Sequence, residues 1–91
     1  MSMQEFKRDY ESQRRAMQEN LQDVQHAANR QEAEAAATRL VDYWNNMCET
    51  ASQIRRLFNN PFQEHESYSN SMRDQIVAIA KKYVPSRSVS Y

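Results

Sequence analysis

In the first third of the chain, Phe6, Tyr10, Met17, Leu21, Val24 and Ala28 recur at steps of three, four or seven, the spacing that lines one face of an α-helix. Lys7, Glu11, Arg15 and Glu19 stand on the opposite side and alternate in sign at steps of four, where neighbouring charges support a helix weakly. Ser2 followed by Glu5 fits a capping box, in which serine oxygen and glutamate satisfy unpaired backbone donors reciprocally. These features predict an amphipathic helix over residues 3–28.

A richer stripe follows, made by Leu40, Val41, Trp44, Met47, Cys48, Ala51, Ile54, Leu57 and Phe58, with Tyr43 on its flank. At about 100° per residue the two stripes point in directions roughly 100 to 140° apart. One straight helix would therefore bury different faces in its two halves. Asn29 with Glu32 offers a second capping box between them. A turn near Asn29 and a helix over residues 30–58 are expected. The competing arrangement is an uninterrupted helix, because "QEAEAAATRL" is rich in strong helix formers and the chain contains no glycine.

In "FNNPFQEH", Asn60 suits a cap, Pro61 suits a first helical position where its missing donor is not needed, and Gln63 completes a third box. A last helix is expected over residues 61–84, with Phe62, Met72, Ile76, Ile79, Ala80 and Tyr83 as its stripe. Pro85 ends it and leaves residues 85–91 as a flexible tail. The expected fold is all-α, one domain over residues 1–84. It is built as an antiparallel three-helix bundle, or alternatively as a long helix plus a shorter one folded back as a helical hairpin.

Composition narrows the picture. Leu, Ile, Val and Phe together number only 14 of 91 residues, a balance that borders on disorder. Twelve basic and 12 acidic groups nevertheless cancel, so the self-repulsion typical of disordered chains is missing. A small helical core completed by a protein partner or by self-association reconciles the two. No run of 18 apolar residues provides a membrane-spanning helix. The polar start "MSMQEFKRDYESQRR" lacks the apolar core of a secretory signal, so a reducing intracellular compartment such as the cytoplasm is expected. Cys48, the single cysteine, excludes an internal disulfide framework and a cysteine-rich zinc site. Its spacing from Trp44, Met47 and Ala51 reads as that of a small buried hydrophobe.

Little points to catalysis. Of the two histidines, His65 in "HESYS" lacks the second histidine of a zinc-protease helix, and Asp23 with His26 makes only half of a carboxylate-bridged metal pair. Both histidines read as surface residues. Without glycine there is no phosphate-cradling loop. No catalytic, cofactor or metal residues are assigned and no small-molecule substrate is expected.

Two binding classes remain. Large aromatic and thioether side chains anchor protein interfaces, and the wide second stripe makes Leu40, Tyr43, Trp44, Met47, Ile54 and Phe58 the expected interaction residues of a non-catalytic adaptor, assembly factor or inhibitor. The alternative is nucleic-acid binding. An antiparallel hairpin brings the start of the first helix near the end of the second, so Lys7, Arg8, Arg55 and Arg56 would form one phosphate-neutralising patch. The balanced charge, and the favourable placing of cations at helix C-termini, argue for the first class. Two weaker signals lie at the end of the chain. "VSY" has the pattern that strand-addition domains capture, and Ser86, Ser88 and Ser90 flank Arg87 as possible phosphorylation positions.

Overall fold

In a computed structural model, which describes residues 2–90, the chain forms three α-helices: α1 (Met3–Gln25), α2 (Arg30–Phe58) and α3 (Gln63–Tyr83). The turn near Asn29 is present, so the architecture is the three-helix bundle and not the long-helix hairpin. Its radius of gyration is 13.6 Å and its longest dimension 43 Å, the length of α2 itself at about 1.5 Å per residue.

Capping chemistry explains the first two helix starts. The Glu5 N–H donates to Ser2 Oγ and the Ser2 N–H to Glu5 Oε1, each at 3.3 Å. At α2 the Glu32 N–H donates to Asn29 Oδ1 at 2.9 Å, while the Glu32 carboxylate accepts from the Ala28 N–H at 3.0 Å. That second bond reaches one residue further back than a capping box does. It ties down the turn and ends α1 at Gln25, three residues before the expected boundary; Ala28 consequently lies exposed in the connection.

Between α2 and α3 the expected capping box does not form. Asn60 Oδ1 accepts from the Phe62 N–H at 2.8 Å, an Asx turn within the connection, and Pro61 stays outside the helix. Phe62 sits at the N-cap of α3 with φ 46°, without a side-chain cap. A left-handed backbone costs such a residue roughly 1–2 kcal/mol. Burial of its ring edge-on against Tyr10, with centroids 4.8 Å apart, supplies the offset. Asn59 at the end of α2 is also left-handed, φ 50°, a conformation asparagine tolerates and the one commonly met just past a helix end.

The helices run up, down and up. Phe6 at the start of α1 meets Phe58 at the end of α2, ring centroids 5.5 Å apart. Arg30 at the start of α2 lies over the Tyr83 ring at 5.3 Å and donates to the Lys82 carbonyl at 2.7 Å, satisfying the C-terminus of α3. Small residues Ala33, Ala36, Ala37 and Ala51 on the buried side of α2 allow close helix packing. α3 stands further from α1 and reaches it through long side chains. Gln18 donates to the Tyr68 hydroxyl at 3.0 Å, and the Arg14 guanidinium lies between the Tyr10 and Tyr68 rings while pairing with Glu11 at 2.9 Å and Glu64 at 3.5 Å.

The core is partly polar. On α1 the inward positions are Phe6, Tyr10, Gln13, Met17, Asn20 and Val24, an unbroken alternation of fours and threes. Asn20 is held at both ends, donating to the Ala16 carbonyl at 2.8 Å and accepting from Arg39 Nε at 2.8 Å. Gln13 Nε2 faces Thr50 Oγ1 at 3.4 Å. Polar core positions of this kind fix helix register at some cost in stability.

The segment after α3 departs from expectation. Instead of a free tail, residues 85–90 lie along α2, with Val89 against the core. The reason is local: buried Trp44 carries an indole N–H that needs an acceptor, and the Ser90 carbonyl provides it at 2.9 Å. The "VSY" signal includes Tyr91, which lies outside the described residues.

Candidate functional site

Of the six expected interaction residues, Leu40, Trp44, Met47 and Ile54 are fully buried in the chain's own core. α1 and α3 together cover the stripe that the sequence left open. Tyr43 and Phe58 retain partial exposure. Leu57, counted in the stripe by its spacing, is instead turned outward with 59% of its surface accessible. It is the sequence neighbour of Phe58, whose ring meets Phe6, so an exposed leucine lies at the Phe6 end of the bundle.

The four basic residues of the nucleic-acid reading do not line one surface. Lys7 and Arg8 border a shallow depression on α1 with Gln4, Glu11, Ser12 and Arg15. Arg55 lines a different depression, a cleft of about 510 Å³ between α2 and α3 that Arg73, Ser69, Asn70 and Glu66 also line. Arg56 is exposed.

His65 lies at the floor of that cleft, and its surface placement is corrected. It is 2% exposed, and the Tyr10 hydroxyl lies 3.0 Å from Nδ1. Burial, reinforced by the positive charges of Arg55 and Arg73, lowers the imidazole from 6.5 to about 4. The ring is therefore neutral at pH 7. Either neutral tautomer can make this bond, because the phenol both donates and accepts. Burial likewise pushes the Tyr10 phenol far above its ordinary range, so this O–H keeps its proton. His65 serves here as the internal hydrogen-bond partner of Tyr10, a role that the absence of a metal motif did not suggest. His26, by contrast, is exposed at the C-terminal end of α1.

Cys48 is buried, 7% exposed, and burial raises its thiol from 9.0 to about 11. Two pH units remove about 99% of the thiolate that an ordinary cysteine would present. The native protein should therefore react with a thiol reagent at pH 8 on the order of a hundred-fold more slowly than the protein unfolded in guanidinium. Equal rates in the two states would refute the burial of Cys48.

Sequence reasoning missed one cluster altogether. Asp42, Trp44 and Asn45 on α2 together hold Arg87, Ser88 and Ser90. The signal available was the tryptophan itself, whose placement in a core stripe demands a nearby acceptor.

These features define an all-α three-helix protein with no helix long and apolar enough to cross a membrane. Among the described residues no three His, Cys, Asp or Glu side chains gather in a metal-binding arrangement. Neither protein-family models nor curated proteins nor solved structures give a match to this chain.

Proposed function

We propose that the protein is a non-catalytic helical interaction module, of the adaptor, assembly-factor or inhibitor kind, that engages a protein partner through the tip formed by Phe6, Leu57 and Phe58. The observation that carries this reading is the exposure of Leu57, 59%, beside two partly exposed phenylalanines. Fully burying one leucine side chain contributes about 1.5–3 kcal/mol, and aromatic neighbours add contact area at little entropic cost. Lys7, Arg8, Arg55 and Arg56 flank the tip, so the complementary surface is apolar with acidic groups around it.

The test places a photo-crosslinking amino acid at position 57, and separately at Glu19 on the exposed side of α1, in cells that make the protein. A discrete protein adduct from position 57, absent from position 19 and lost on Arg56→Glu, is the expected result. The same adduct from both positions, or none from position 57, would remove the tip from consideration.

The second reading is nucleic-acid binding, favoured by the exposed Arg8, Arg55 and Arg56 at the same end of the bundle. It requires measurable binding to duplex or single-stranded probes that weakens steeply as salt rises. Absence of binding at low salt eliminates it.

A further inference from the structure

Val84 closes α3, the Arg87 N–H turns back onto the Val84 carbonyl at 3.0 Å, and residues 88–90 then run along α2. Asn45 brackets this segment. Its Nδ2 donates to the Ser88 carbonyl at 3.0 Å and its Oδ1 accepts the Ser90 N–H at 2.8 Å. Trp44 Nε1 donates to the Ser90 carbonyl at 2.9 Å. All three bonds go to main-chain atoms, so Asn45 and Trp44 recognise backbone rather than any particular side chain.

Selectivity falls to two other contacts. Asp42 receives both Arg87 guanidinium nitrogens, at 3.0 and 3.4 Å, in a fork. Val89 packs against the core. Arg87 and Val89 make the side-chain contacts with the bundle, and no side-chain hydrogen bond to α2 is made by Ser86, Ser88 or Ser90. The surface reads a cation, then an aliphatic residue two positions later, on a non-helical backbone that bends at the cation.

The hold is modest. Arg87 and Asp42 are 40% and 50% exposed, and ion pairs this open contribute little. Fixing each backbone residue costs about 1–2 kcal/mol. What favours the segment is tethering, since a short connection gives an effective concentration in the millimolar range.

We propose that the α2 surface made by Asp42, Trp44 and Asn45 is a docking groove for a non-helical segment of a partner protein bearing a cationic residue followed two positions later by an aliphatic one, and that residues 85–90 occupy it in cis as a competing pseudo-ligand. This groove is independent of the Phe6–Leu57–Phe58 tip, so either can fail without the other.

The probe is a fluorescein-labelled peptide of sequence PSRSVS, titrated by anisotropy into three full-length proteins: the original, Arg87→Glu, and Arg87→Glu combined with Asn45→Ala. Glutamate at 87 faces Asp42 and should vacate the groove. An altered emission of Trp44, the only tryptophan, at unchanged helicity reports that release. Arg87→Glu should then bind the peptide at least about tenfold more tightly than the original protein, by removal of the tethered competitor. The added Asn45→Ala should abolish the gain, and a PSESVS probe should not bind. The proposal is overturned if Arg87→Glu, with its segment shown released, binds PSRSVS no better than the original, or if Asn45→Ala leaves the gain intact. It is also overturned if the original protein sediments as a dimer with the segment of one copy in the groove of the other.

Discussion

Replacing Trp44 by alanine should remove on the order of 3–5 kcal/mol from the stability of the bundle, the usual cost of emptying a large buried aromatic site. Trp44 is fully buried among residues of the central cluster. A chain this size commonly has about 5–15 kcal/mol in total, so the variant should lose a large fraction of its stability. The substitution also deletes the donor that holds the Ser90 carbonyl. Trp44→Phe separates the two effects, because it keeps most of the ring and loses the N–H. It should cost about 0.5–1.5 kcal/mol for the missing hydrogen bond, plus a packing term for the smaller ring, and should free residues 85–90. Urea unfolding followed by far-ultraviolet circular dichroism gives both numbers. A Trp44→Ala protein as stable as the original would place Trp44 outside the core.

The same residue marks how far the sequence could be read. Apolar spacing and cap residues were enough for α2, whose limits fall at Arg30 and Phe58 as the stripe and Asn29 require. They worked because a phase change between two stripes forces a turn regardless of helix propensity. At α3 the same reasoning went astray: Asn60, Pro61 and Gln63 spell a capping box, but burying Phe62 against Tyr10 outweighed a surface cap. Local capping is worth about 1 kcal/mol, less than a buried phenylalanine ring contributes.

Polar core residues were hidden for a related reason. The step of seven from Tyr10 to Met17 resolves into four and three only when Gln13 is admitted, and Asn20 fills the next gap in the same way. On α3 the series Phe62, His65, Ser69, Met72 and Ile76 is continuous only with a histidine and a serine inside it. A pattern built on hydrophobic residues alone skips such positions. The low apolar content thus reflects a core that accepts hydrogen-bonded polar residues, and most of the second stripe is consumed internally rather than offered to a partner. The exposure of Leu57 and the hold of Asn45 on residues 88–90 depend on side-chain directions that spacing does not encode.

His65 turns this polar core into a pH-dependent one. Its imidazole titrates near 4 in the folded protein against 6.5 for an unhindered histidine, so between those values the unfolded chain binds the additional proton. Stability contributed by the neutral ring is fully present above about pH 6.5 and is lost as pH falls toward 4. Desolvation is the largest cause of the shift, and Arg55 and Arg73 both add to it by disfavouring the imidazolium. No carboxylate contributes to the shift; Glu66 lines the same cleft but is exposed. At about 1.36 kcal/mol per unit the shift corresponds to about 3 kcal/mol, and each kcal/mol moves the melting temperature of a domain this size by about 4–8 °C. His65→Gln retains an acceptor for Tyr10 and cannot titrate. The original protein should therefore lose stability relative to His65→Gln as pH is lowered from 6.5 to 4, while the two run parallel above pH 7. Carboxylates that protonate in the same range act on both proteins equally and cancel in the difference. Parallel curves throughout would mean that the ring opens to solvent and takes its proton without unfolding the bundle.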